Sequence, residues 1–555
     1  MLTRREFLNV TAVGAAGLLV PWSRVRAQAA TPIDGSQLTK YVDALPIPGV
    51  LSPTRPGGRH YRVDISEFSQ QLHRDLPNPT TVWGYNGSYP GATFEARKNK
   101  PITVEWVNNL PLEPKLQLPL DTTIEESPPD LPRARVVPHL HGGHILSAWD
   151  GIPDAWFAPP GSSPMTGPGF FGTTFEYAND QRATTLWYHD HAAGVTRLNV
   201  YAGLAGFYLI RDAVEDSLNL PSGPFEIPLV IQDRMFDDAG QWFYPDQGVT
   251  DVHPIWVPNF YGNIALVNGK VWPFLEVEPR TYRFRILNGS NSRFYNLSLT
   301  SQQSFIQIGS EGGLLPEPVT LRELLIAPGE RADVIVDFAG YAGQSIVLTN
   351  DAPAPFPPGE TTSLPEIMQF RVTLPLSGRD ATSLPKKLPG FRRLNPNSAT
   401  TVRNLTLNQV IQSPMHPLEL LLGNNVPGGL PFTAPVTEKP QDHSTEIWNF
   451  LNLTDHTHPM HVHLVEYQVL DRQPFDVDLY IASNGTQLSF TGPRIPPDPN
   501  EMGWKDTVRA NPGQATRIII RFDALPNDDI RRFMWHCHIL EHEDNDMERP
   551  YVIRR

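Results

Sequence analysis

Apolar and polar positions alternate with a period of two along much of the chain, and this pattern predicts strands rather than helices. Ile102, Val104 and Trp106 alternate with Thr103 and Glu105, and the run stops at Asn108-Asn109 followed by Pro111. Similar runs occupy 282–287 and 332–338, beside the turn signals Asn288-Gly289 and Pro328-Gly329. A strand is also expected at 533–539, where alternate side chains leave opposite faces. His536 and His538 then point one way and Cys537 the other. One short segment can therefore serve two metal sites.

Strand and turn patterns recur roughly every 8 to 12 residues, the spacing of Greek-key sandwiches. At 555 residues the chain is too long for one core. Three strand-rich units are expected, at 41–212, 224–374 and 400–555. A proline-bearing linker at 375–400 (Pro385, Pro389, Pro396) precedes the third. Composition agrees with an all-β class, since 57 prolines, 41 glycines and 19% charged residues suit turns better than helical bundles. The formal charge of -14 argues against nucleic acid or an anionic membrane as partner.

Residues 1–30 read separately. Thr3-Arg4-Arg5-Glu6-Phe7-Leu8, a moderately apolar run to Trp22 and the small-residue site Ala27-Gln28-Ala29 resemble a bacterial twin-arginine signal. The run falls short of the roughly 20 apolar residues of a membrane span and carries Asn9 and Thr11. The twin-arginine export machinery is thus an expected partner, with cleavage near Ala29 and a periplasmic or secreted product. No membrane span is expected in the mature chain.

Export sharpens the meaning of Cys537, the only cysteine. It cannot form an internal disulfide, so the thiol is either buried and inert or occupied by a metal. His542 follows five residues on and Met547 ten. A His2Cys set with a weak axial Met is the donor set of blue copper. One histidine is missing, and His458 in Asp455-His456-Thr457-His458-Pro459 is the best candidate, because Pro459 puts it in a turn or at a strand end. Three further pairs, His139/His141, His189/His191 and His461/His463, have the i, i+2 spacing that places two imidazoles on one face of a strand. A single such pair is commonly structural, but recurrence favours a metal cluster. The middle unit has one histidine, His253, and no cysteine. It is expected to hold no metal and to act as a spacer or a substrate wall.

Four motifs, His139-Leu140-His141-Gly142, Trp187-Tyr188-His189-Asp190-His191, His458-Pro459-Met460-His461-Val462-His463 and the segment from His536 to Met547, resemble those of the multicopper oxidase family. The resemblance covers nearly the whole mature chain and is greatest to three-domain bacterial laccases of the spore-coat type and to bilirubin oxidases. It implies three cupredoxin-like sandwiches and four copper ions. Type 1 copper would be held by His458, Cys537 and His542 with Met547 axial. Type 2 would be held by His139 and His461, and the type 3 pair by His141, His189, His191, His463, His536 and His538. His144 and His456 fall off these positions and read as supporting or surface residues. Asp150 and Glu543 resemble the acids that deliver protons near the trinuclear cluster.

The activity implied is one-electron oxidation of phenols or aromatic amines coupled to reduction of O2 to water. Bilirubin oxidation is an alternative within the family. Cuprous oxidation is another, though only nine scattered methionines occur. From other classes, a blue-copper electron carrier needs neither the paired histidines nor three units, and a zinc hydrolase does not explain the thiolate-His-Met spacing.

Overall fold

The computed structural model of the protein describes residues 31–124, 127–245, 257–357, 359, 364–410 and 419–555. The export signal read at 1–30 and His253 lie outside them. The described chain is built of strands, and its longest helix, Thr196–Ala202, has 7 residues. No helix among the described residues is long and apolar enough to cross a membrane.

Six sheets fall two by two along three successive stretches of chain. In the first, one sheet runs in the order Thr80–Tyr85, His60–Gln70, Ile102–Asn108, Thr174–Tyr177. The other runs Gly91–Arg97, Ala205–Arg211, Thr184–Asp190, Pro138–His141. Sheets of seven and five strands follow between Glu226 and Arg371, then sheets of five and four between Thr401 and Val552. One step recurs in all three: His60–Gln70 lies parallel to Ile102–Asn108, Glu226–Arg234 to Thr281–Asn288, and Thr401–Val410 to Thr445–Asn452. Each pairing joins strands that a hairpin cannot connect, so the chain crosses over in the Greek-key manner in every sandwich.

Local patterns explain most of these strands. Ile102–Asn108 alternates buried and half-buried residues as expected. Thr281–Asn288 does not, because Arg283 and Arg285 on its polar face are covered too. Their guanidiniums pair with Glu215, Glu226 and Asp333, and the ion pairs replace water where the first two sandwiches meet. The apolar core is correspondingly continuous across the first two units, whereas the third has its own, which contains Cys537 and Met547.

The segment 375–400 carries no strand and is tied to both the second and the third unit. Leu388 N–H donates to the Pro316 carbonyl (2.9 Å) and Leu394 N–H to Gln468 Oε1 (2.9 Å). Residues 32–45 lie on the second sandwich, with Ile33, Tyr41 and Leu45 donating to Phe236, Trp272 and Phe274.

Candidate metal centre

Two strand pairs from different sandwiches bring the histidines together. Pro138–His141 runs antiparallel to Thr184–Asp190 with His139 opposite His189, and His458–Val462 runs antiparallel to Arg532–Cys537 with His461 opposite His536. His191, His463 and His538 each follow directly after a strand, and all eight rings are buried. Across the seam the rings stack in two pairs, His139 on His463 at 3.9 Å and His141 on His461 at 3.6 Å between centroids.

Two aspartates set this arrangement. The Asp150 carbonyl accepts from His139 Nδ1 (2.5 Å) and its Oδ2 from His463 Nδ1 (2.7 Å). Asp506 mirrors it: its carbonyl accepts from His461 Nδ1 (2.8 Å), and its Oδ1 lies 3.2 Å from His141 Nε2. Each aspartate therefore orients one histidine of its own sandwich and one of the other. Arg331 of the second sandwich pairs with Asp506 through both guanidinium nitrogens. The backbone at Gly142 lies at φ 83°, and a Cβ there would collide with Asp506 and Arg331, which accounts for the glycine after His141. Gly329, at φ 79°, likewise leaves room for the His538 ring. The second sandwich thus braces the histidines. Asp506 escaped the sequence reading because Lys505-Asp506-Thr507 has no distinctive spacing.

The outward nitrogens decide where the inward lone pairs are. His189 Nδ1 donates to the Asp190 carbonyl (2.8 Å) and His536 Nδ1 to the Cys537 carbonyl (3.1 Å). A neutral imidazole that donates from one nitrogen presents a lone pair at the other. His536 Nε2 then faces His463 Nε2 at 3.2 Å, lone pair against lone pair, and lies 3.3 Å from His191 Nε2. His139 Nε2, His461 Nε2, His189 Nε2 and His141 Nδ1 are buried without a hydrogen-bond partner. Ligand atoms converge in three sets: His191, His463 and His536; His141, His189 and His538; and His139 and His461, which His141 also approaches. Burial and the neighbouring rings hold these histidines below their usual pKa, His191 and His536 at about 4, so they stay neutral.

On the other side of the same strand, Cys537 Sγ lies 3.4 Å from His458 Nδ1 and 3.6 Å from His542 Nδ1, with the two nitrogens 3.3 Å apart. His458 begins its strand, as Pro459 predicted, and its Nε2 is held by Thr454 Oγ at 2.7 Å. The strand at 532–537 is shorter than the expected 533–539. After Cys537 the Ile539 N–H turns back to Sγ (3.5 Å) and the helix Leu540–Glu543 begins. That turn returns the chain to the cysteine: Met547 N–H donates to the His542 carbonyl (2.9 Å), and Cys537 N–H to the Met547 carbonyl (3.0 Å). His456, read as a supporting or surface residue, is buried within this group, its ring 4.6 Å from His458 and 5.1 Å from His542. His144 is half-buried and pairs with Asp180, away from both clusters.

Helix Leu540–Glu543 is anchored on three sides. Glu541 accepts from Tyr244, Asn291 and Ser292, and Asp544 accepts from the Thr196 and Arg197 N–H groups and the Arg197 guanidinium. Glu543 faces the eight-histidine cluster, its carboxylate 3.1 Å from His536 Nδ1 and 3.6 Å from His191 Nδ1, and burial raises its pKa to about 8. Burial, reinforced by Asp528, likewise pushes the Asp150 carboxyl well above the usual range. Both acids can hold a proton near neutral pH.

Facing lone pairs and unpartnered buried nitrogens are costly unless a cation takes them. The Cys537 thiol, pushed up in pKa by burial, likewise needs a cation to become a thiolate. Imidazoles around a thiolate, with a thioether nearby, suit a soft or borderline ion, and the donor set fits copper.

Comparison with known proteins agrees. Residues 399–555 and 69–118 match the multicopper oxidase family. The chain is 47% identical to a laccase of Bacillus subtilis (strain 168) and 48% identical to a laccase of Bacillus stratosphericus, in each case over 93% of this chain and 99% of the relative. It also superposes on the McoA multicopper oxidase of the hyperthermophile Aquifex aeolicus with a TM-score of 0.71 at 29% identity, covering 93% of this chain and 100% of that one. Fold, donor set and similarity over almost the full length agree: this chain belongs to the multicopper oxidase family and is an oxidoreductase.

Proposed function

We propose that the protein is a four-copper oxidase of laccase type. When bound, the copper ions supply one-electron oxidation of a phenol or aromatic amine at a type 1 site and four-electron reduction of O2 to water at a trinuclear site. His458, Cys537 and His542 would hold type 1 copper with Met547 axial. His139 and His461 would hold type 2. His191, His463 and His536 would hold one type 3 ion and His141, His189 and His538 the other, a division supported by the two groups in which their ring nitrogens approach one another. The observation that carries this reading is the convergence of their lone pairs on buried points that no protein donor fills.

The protein's own groups do the rest. Burial of all eight rings excludes bulk water. Asp150 and Glu543 stand against histidines of both sandwiches and would pass protons to the site where O2 is reduced. Phenols and aromatic amines as reductants are supported by the similarity to laccases. Residues 41–212, 224–374 and 400–555 would form three cupredoxin domains, and residues 1–30 would direct export by the twin-arginine route to the periplasm or beyond. An absorption spectrum and a copper count on aerobically purified protein test the reading. An intense thiolate-to-copper band and about four coppers per chain are expected; a colourless, copper-free protein refutes it.

A further inference from the structure

We infer that Thr454 is a positioning residue of the Cys537 centre: its hydroxyl accepts from His458 Nε2–H, holds that ring with the Nδ1 lone pair turned toward Cys537, and so tunes the ion bound there. This rests on reading Cys537, His458 and His542 as a copper site. His458 Nε2 lies 2.7 Å from Thr454 Oγ, while Nδ1 of the same ring lies 3.4 Å from Cys537 Sγ and 3.3 Å from His542 Nδ1. Thr454 and His458 are both buried, so bulk water does not compete for the contact.

The direction of the bond follows from what else the hydroxyl meets. Asn452 Nδ2 donates to the His456 carbonyl (2.8 Å) and to the Ala510 carbonyl (2.9 Å), which turns Asn452 Oδ1 toward Thr454. That oxygen accepts from the Thr454 N–H (2.9 Å) and lies 2.8 Å from Thr454 Oγ, and the His456 carbonyl stands 3.2 Å from the same hydroxyl. A hydroxyl has one proton to give and two lone pairs. With two carbonyl oxygens in reach of that proton, an Oγ lone pair is left to accept from His458 Nε2–H. A neutral imidazole that donates from Nε2 is bare at Nδ1, the atom that faces Cys537. The support is anchored in the sheet itself. Ala510 pairs with His458 across the antiparallel strands, so Asn452 ties the turn that carries Thr454 to the strand pair from which the ring projects.

A partner that fixes the tautomer of a ligating imidazole also raises its basicity, and its loss costs about 10–100-fold in metal affinity. A less basic ring favours the cuprous over the cupric ion, so the reduction potential rises. The test uses the full-length, copper-loaded wild type, Thr454→Ser, Thr454→Val and Thr454→Ala. Copper affinity of the Cys537 centre by chelator competition, the visible thiolate-to-copper band, the electron paramagnetic resonance hyperfine splitting and the midpoint potential are measured, with the urea midpoint of copper-free protein as the reading of the fold. Thr454→Val, nearly isosteric, and Thr454→Ala should both lose affinity, shift the band and the splitting and raise the potential. Thr454→Ser keeps the hydroxyl and should return all four readouts to wild type. A normal band in the wild type with unchanged affinity, spectra and potential in Val and Ala overturns the role of Thr454 alone. So does a fall in the urea midpoint without those changes, or loss of folding in both variants, since the hydroxyl would then hold the turn rather than the ring. A wild type without the band overturns both this inference and the copper reading of Cys537.

Discussion

Replacing Asp150 by Asn separates its two jobs. Its Oδ2 accepts from His463 Nδ1, while its Oδ1 is buried without a partner and is the atom available to carry a proton. Asn is nearly isosteric, and its carbonyl oxygen can still accept from His463 Nδ1, so the ring stays oriented. The exchangeable acid proton is what disappears. A positioned acid contributes about 10²–10⁴-fold to a proton-coupled step. Even the lower end, about 100-fold, corresponds to about 2.7 kcal/mol of barrier. Steady-state O2 uptake with a phenolic reductant should therefore fall at least tenfold, while anaerobic reduction of the Cys537 centre keeps its rate and the visible band keeps its intensity. Asp150→Ala removes the orienting acceptor as well, so copper content should drop with activity. Oxygen uptake by Asp150→Asn within about twofold of wild type refutes the argument, since no proton relay of this magnitude would then pass through Asp150.

Three further outcomes follow from charge pairing. Asp506→Ala leaves the buried Arg331 guanidinium without its carboxylate and releases His141, so unfolding free energy should drop by about 3–5 kcal/mol and copper content with it, measured by urea titration and metal analysis. Asp544→Ala strips the carboxylate from buried Arg197 at the start of helix Thr196–Ala202; a loss of about 3 kcal/mol is expected in metal-free protein, and a change below about 1 kcal/mol contradicts it. For His144, burial alone would lower the pKa, but the hydrogen bond and charge of Asp180, with the Asp523 carbonyl, raise it. A raised folded-state pKa means that this stabilisation is complete below the unfolded value of about 6.5 and is lost as pH rises through the folded value. Wild type should accordingly exceed His144→Gln in urea midpoint at about pH 6 by more than it does in alkali, and a pH-independent gap would count against the bridge.

The sequence made the donors legible because each lies in a short motif with a physical meaning. An i, i+2 histidine pair shares a strand face, and a lone cysteine five residues before a histidine and ten before a methionine leaves room for one return turn. His456 sits inside such a motif, yet its spacing leaves it open between a supporting and a surface residue, because spacing alone does not say which side of a strand start a ring takes; the ring is buried beside His458 and His542. Asp506 was invisible for another reason: its role depends on His141, 365 residues away, and on Arg331 from the second sandwich. Arg283 and Arg285 illustrate the same limit in the fold, since their alternation looked like a wet sheet face and became a dry one through Glu215, Glu226 and Asp333. Local periodicity reports the strand, whereas what covers the strand is decided by partners far away in sequence.

The strand Arg532–Cys537 lies between His458–Val462 and Glu548–Val552, and this interior position fixes more than geometry. Met460 pairs with Cys537 and His461 with His536, so one register sets both the Cys537 cluster and the eight-histidine cluster. A slip by one residue would exchange the two faces and destroy both at once. His536 and His538 flank the cysteine, and three residues of extended chain span at most about 10 Å. The His536 Nδ1 hydrogen bond to the Cys537 carbonyl adds a second, shorter link between the same groups. Distance between the centres is therefore set by covalent structure rather than by packing of one sandwich on another. The Cys537 pocket can accordingly vary its surroundings without altering the covalent path to His536 and His538.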